Sequence, residues 1–226
     1  MSQDSRPPGI IGPLNIYGLL ALAGIIGPIV FIITNLVIIF SNPGYDILHN
    51  TVSSLAWTHL GWLQSIGFLA VGLFVEVFDA GLLFSVRGRR GFGTGIMLLV
   101  CLGFGLLLVG AFQEDINDTV RTIHGVIHTT SAAIVFSIFP IASLLIALSL
   151  RKDPYWKGLF IYTIVATILA FGFVAVHFGL LPNQDWMGLY EQIMIGNMVI
   201  WVEVMAIQLL RLSMRPQGRF RRPKIF

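Results

Sequence analysis

Six apolar stretches divide the charges of this chain into two camps, and that division limits what it can fold into. The stretches run roughly Tyr17–Phe40, Leu60–Val86, Gly91–Phe112, Ile123–Leu150, Leu159–Leu181 and Leu189–Leu212. As helices rising about 1.5 Å per residue, each covers about 30 Å of hydrocarbon. Hydrocarbon offers no partner to a free backbone group, so an apolar chain crosses it as helices. Only 11% of residues are charged, against about 25% in a soluble domain. The expected fold is therefore all-α: a polytopic membrane protein with a bundle of six transmembrane helices.

The basic residues set an orientation. Arg6 precedes the first span; Arg87, Arg89 and Arg90 follow the second; Arg151, Lys152 and Lys157 follow the fourth. Arg211, Arg215, Arg219, Arg221, Arg222 and Lys224 follow the sixth, so 13 of 14 basic residues share one side and only Arg121 opposes them. The positive-inside rule makes that side cytoplasmic. The expected location is the cytoplasmic membrane, with both termini inside. Residues 1–16 read as a cytoplasmic segment, 17–212 as the membrane domain and 213–226 as a basic tail. The opening lacks a basic n-region and a cleavage site, so the first span is expected to be retained. The tail's Arg219, Arg221, Arg222 and Lys224 suit anionic lipid headgroups. The tail already anchors the last span, which makes nucleic acid the poorer partner.

The opposite side collects His49, His59, His124, His128 and His177, with Asp46, Glu114, Asp115, Asp118, Asp185 and Glu191. In the first outer loop, Asn42-Pro43-Gly44 is a turn signal. After it Asp46, His49, Asn50 and Ser53 recur at helical spacing, opposite Leu48, Val52, Leu55 and Ala56. A short amphipathic helix capped by Asp46 is expected. It either lies on the membrane surface or forms a lid whose polar stripe faces the His124/His128 stripe. Those two histidines stand at i and i+4, one above the other on a helix, with Arg121 and Ser131 extending the line.

Several chemistries fit these residues. Two imidazoles at i, i+4 suit one zinc ion, with His49, His177, Asp46 or Asp118 as further ligands. Ser53 or Ser54 could act as nucleophile, with a histidine as base and Asp46 to orient it. No Gly-x-Ser-x-Gly elbow is present. Inside the spans lie Glu76, Asp79 and Glu203. Counted from Arg87, Asp79 is about 12 Å deep and Glu76 about 16 Å. An acid at such depth costs roughly 2.5–3.5 kcal/mol. These acids are expected to form either a proton or cation path or a neutral clasp between spans two and six.

PGYDILHNTVSSLAW, beginning at Pro43, resembles the first-loop motif of the multi-pass family catalogued as domain of unknown function 998. Two more stretches extend the likeness. HGVIHTTSAAIVFSIFPIA carries Gly125, His128, Phe136 and Pro140, and GLYEQI opens the last span, with Gln192 where the family pattern has a basic residue. The resemblance implies a bacterial or archaeal membrane protein of about six spans and implies no chemistry. Three functions therefore stay open. The first is a binding or accessory protein with a His/Asp-lined outer pocket, acting with other membrane subunits. The others are a metal-assisted hydrolase of a lipid or small molecule, and a proton-coupled transporter.

Overall fold

The structure, a computed structural model, describes residues 15–88, 90–116, 121–180 and 185–215. Among these residues there is no strand, and six helices are long and apolar enough to cross a membrane. They are α1 (Ile16–Ser41), α2 (Gly61–Ser85), α3 (Phe92–Ala111), α4 (Ile123–Leu150), α5 (Phe160–Ala175) and α6 (Met187–Ser213). The boundaries follow hydropathy closely, because a span ends where its backbone can reach water. The exception is α5, whose last turn loosens into a π-helical turn at Val176–Leu180.

Each helix packs against its neighbours in sequence, and α1 closes on α6, so the bundle is a ring. The side chains of α5 are the least buried of the six. Outward faces carry large apolar residues such as Ile33, Phe104 and Ile168, as a lipid-facing surface requires. The interior is filled by Phe78, Leu82, Leu102, Ile146, Trp201 and Met205 among others.

Up-and-down connection puts the residues into two ends. At the basic end, Asn15 donates from Nδ2 to the carbonyl of Ser213 (3.0 Å), joining the start of α1 to the close of α6. Asp153 is buried there in the α4–α5 connection. It accepts from the backbone N–H groups of Arg87 (2.9 Å), Tyr155 (2.8 Å) and Trp156 (3.2 Å). All five histidines belong to the other end, called the histidine end below.

Candidate functional site

The α1–α2 connection folds back into the mouth of the bundle. Its helical element is not the expected one at Asp46. Residues 46–50 form a single turn, in which Asp46 Oδ1 accepts from the Leu48 N–H and Asn50 Oδ1 accepts from the Asp46 N–H, both at 2.8 Å. Such local side-chain bonds compete with a helical ladder. A 3₁₀ turn follows at Ser53–Trp57. Val52 and Leu55 are wholly buried, so this segment plugs the bundle rather than lying on a membrane surface. Gln64 of α2 donates to the Val52 carbonyl (2.9 Å). The Tyr45 hydroxyl lies 2.9 Å and 3.0 Å from the carbonyls of Asn50 and Thr51. Burial pushes the Tyr45 phenol up to about 12, so it stays protonated and able to donate.

The plug brings Ser53 against α4 and α6. Ser53 Oγ lies 3.1 Å from His128 Nε2 and 3.3 Å from Glu191 Oε1, while Glu191 Oε2 accepts from the Val52 N–H (2.7 Å). His128 Nδ1 sits 2.8 Å from the Phe112 carbonyl and 3.2 Å from that of Val109. These carbonyls belong to the last turn of α3, where a helix leaves acceptors unpaired. A carbonyl only accepts, so Nδ1 carries the hydrogen and Nε2 faces Ser53. Two proton arrangements close the chain. A neutral Glu191 donates to Ser53, which donates to a neutral His128. Alternatively an imidazolium donates to Ser53, which donates to a carboxylate. In either arrangement one hydroxyl bridges His128 and Glu191.

Ser53, His128 and Glu191 line a cavity of about 240 Å³ whose other walls include Ala132, Phe136, His177 and Met194. Ser53, Glu191, Ala132 and Phe136 also border a narrower, almost wholly apolar void of about 30 Å³ deeper in the ring, which ends near Val75 and Val202. From Glu191 to Val202 along α6 is about 16 Å. The two spaces share Ser53, Ala132, Phe136 and Glu191 as wall; the upper one also holds His128, while the lower is almost wholly apolar.

Residues 25–208 match the family described as "Protein of unknown function (DUF998)". The chain belongs to that family. No curated protein and no solved structure matches it. In this DUF998 protein each of the three sequence motifs supplies part of one site: the first gives Ser53, the second His128, the third Glu191. Gln192 donates to the Tyr45 hydroxyl (3.2 Å), so a neutral bond ties the first motif to the third.

Other expected residues part company. His124 and His128 do not converge: His124 is exposed, edge-on to Phe112 at 5.3 Å, and His128 is turned inward. His49 pairs with Asp46 at 2.6 Å on the exposed surface, which removes Asp46 from the role of orienting the site histidine; the Phe112 carbonyl does that. This bond, with that from Leu48, holds the Asp46 carboxyl below its usual range. His177 stacks on Tyr190 at 6.4 Å, whose hydroxyl donates to the Phe173 carbonyl. Asp118 and the tail residues Arg219, Arg221, Arg222 and Lys224 lie outside the described residues. Among the described residues no three His, Cys, Asp or Glu side chains are placed to hold one ion. Both nitrogens of His128 are already engaged in hydrogen bonds.

The intramembrane acids do not form the expected clasp among the described residues. Asp79 is buried and neither carboxyl oxygen has a hydrogen-bond partner; Glu203 Oε2 is likewise unpartnered. Glu76 turns toward α3, where its carboxyl lies 2.9 Å from the place a Cβ would occupy on Gly103.

Asp115 governs how α4 begins. Its carboxylate accepts from the Thr122 N–H (2.9 Å) and hydroxyl (2.5 Å), and Thr122 Oγ1 in turn accepts from the Gly125 N–H. A Cβ on Gly125 would come 2.0 Å from Asp115 Oδ2, so the motif glycine is where the carboxylate approaches. The Thr122 bonds hold the Asp115 carboxyl below its usual range. A group with a depressed folded pKa stabilises above its unfolded value, about 3.9. That contribution falls away as pH drops through the lower folded value. Between pH 7 and 5, Asp115 therefore stays ionised, and in a His124→Gln background, which removes the neighbouring imidazole, the Thr122 amide resonance should not move. A Thr122 shift that titrates in that window, and persists in Asp115→Asn, would show that the carboxylate does not set this cap.

Proposed function

We propose that this DUF998 protein binds a small amphiphile from the bilayer at its histidine end. The observation that carries this reading is a pair of adjoining spaces that share Ser53, Ala132, Phe136 and Glu191 as wall: an upper cavity, mainly apolar, into which Ser53, His128 and Glu191 converge, and an almost wholly apolar void beneath it. A polar head would bond to Ser53, His128 and Glu191. An apolar portion would lie against Ala132, Phe136 and Met194. Methionine adapts its shape readily, and Met194 and Met198 line the route downward. Concave sites with mainly apolar walls and a few convergent polar groups are the usual form of a small-ligand pocket. By the basic-residue rule this end is extracytoplasmic, so the ligand would enter from the outer leaflet.

A photoreactive alkyl diazirine alcohol, applied to the full chain in lipid nanodiscs, tests this. Cross-links should fall on α4 and α6 peptides at Ala132, Phe136 and Met194, and Ala132→Phe should reduce them at least about tenfold by filling the space. Labelling confined to lipid-facing positions such as Ile141 and Leu148, unchanged in Ala132→Phe, would remove the pocket reading.

A further inference from the structure

We infer that Ser53 is a nucleophile, activated by His128, that cleaves esters of small amphiphiles held in this cavity. The inference rests on the pocket reading above and adds chemistry to it. Of the two adjacent serines, only Ser53 faces a base; its Oγ also lies 3.3 Å from Glu191 Oε1, and it donates to His128 in the arrangement where Glu191 carries a proton. Ser54 Oγ donates to the Thr51 carbonyl at 2.7 Å and its N–H to Thr51 Oγ1 at 3.2 Å, whereas Ser53 Oγ faces His128 Nε2 at 3.1 Å. The base is oriented from behind. A neutral imidazole with Nδ1–H held on a backbone carbonyl presents an unprotonated Nε2, the form that accepts a proton. Glu191 acts as a positioning residue, because its carboxyl holds the Val52 N–H and so the approach to Ser53. Nucleophile and base lie within hydrogen-bond reach and a third group orients the base, as this class of catalysis requires.

The balance closes with water as co-reactant. The Ser53 proton passes to His128 Nε2 as Oγ bonds to the ester carbonyl carbon, and the carbonyl electron pair moves onto its oxygen. When that pair returns, the carbon–alkoxide bond breaks and the alkoxide takes the proton from Nε2. Water then gives a proton to Nε2 and bonds to the acyl carbon. Ser53 Oγ departs and recovers that proton. The sum is one ester and one water giving one acid and one alcohol.

The full chain in nanodiscs is treated with an alkyl fluorophosphonate, and adducts are located by peptide mass mapping. One adduct on Ser53 is expected, absent in Ser53→Ala. The labelling rate should fall about 100-fold or more in His128→Gln, in the range lost with a general base. Hydrolysis of a short-chain p-nitrophenyl ester should fall in parallel. His128→Gln also removes the bond to the α3 end, so a properly folded Glu191→Gln is the second variant. It should still label Ser53, more slowly, because an amide oxygen also accepts from Val52. No adduct on Ser53 in the folded wild type, an adduct on Ser54 instead, or a rate indifferent to His128 would each overturn the inference. Diazirine cross-linking that persists in such a case would leave the pocket reading standing and the chemistry refuted.

Discussion

Replacing Asp153 by alanine should lower the thermal unfolding midpoint in micelles by roughly 6–12 °C, the shift that about 3 kcal/mol gives in a chain of this size. Asp153 is 1% exposed and is the acceptor for three backbone N–H groups, from Arg87, Tyr155 and Trp156. Each N–H left unpaired in a buried site costs about 1–3 kcal/mol, and the Trp156 N–H keeps a longer bond of 3.3 Å to the backbone carbonyl of residue 153. The Arg87 and Tyr155 bonds are only partly buried; water would take over part of their loss, which sets the total near the lower end. The damage is not confined to one turn. Asp153 ties the end of α2 to the α4–α5 connection, so its loss loosens two interhelical joints at the basic end. Asp153→Asn keeps one acceptor oxygen and should recover about half the shift. A change under about 2 °C for Asp153→Ala would mean that the connection holds without this carboxylate.

Asp153 also shows where reading the sequence stops. It stands beside Arg151, Lys152 and Lys157, and in one dimension it is a lone acid in a basic loop. Its three donors are set by how the chain turns, which hydropathy does not encode. The spans were legible for the opposite reason, since crossing hydrocarbon is a property of a continuous run. The grouping of histidines at one end was legible too, because alternate connections must lie on alternate sides. The histidine pair was only half legible. Four residues advance a helix about 400°, leaving two rings offset by about 40° and about 6 Å apart along the axis. That offset lets the end of α3 and the plug bury His128 while His124 stays exposed. The two rings therefore do not converge, and the partner His128 does find, Ser53, comes from a segment 75 positions away. Glu191 was counted among the acids at that end without a role. The only hint was its place in the GLYEQI motif, and its meaning depends on the first connection folding over α6.

That folding over α6 depends on the missing side chain of Gly188. Gly188 lies in the first turn of α6, where an added Cβ would stand 2.3 Å from the Asn50 carbonyl oxygen and 2.6 Å from that of Ile47. Both are backbone atoms of the plug and cannot rotate aside as a side chain would. Gly188→Ala must push the plug off the helix, breaking the Leu189 N–H bond to the Leu48 carbonyl and stretching the Val52–Glu191 bond. Misfit of this kind costs about 1–3 kcal/mol, equal to roughly 5–150-fold in the opening equilibrium that hydrogen exchange measures. The Val52 amide, sheltered on Glu191, should exchange faster by that factor, and amides in the core of α3 should not change. Gly196→Ala is the matched control: the same helix, the same substitution, and nothing within 4 Å of the new carbon. It should leave Val52 exchange unaltered. Equal exchange rates in the two variants would mean that the plug does not rest on α6, and Ser53 would then have no fixed position opposite His128.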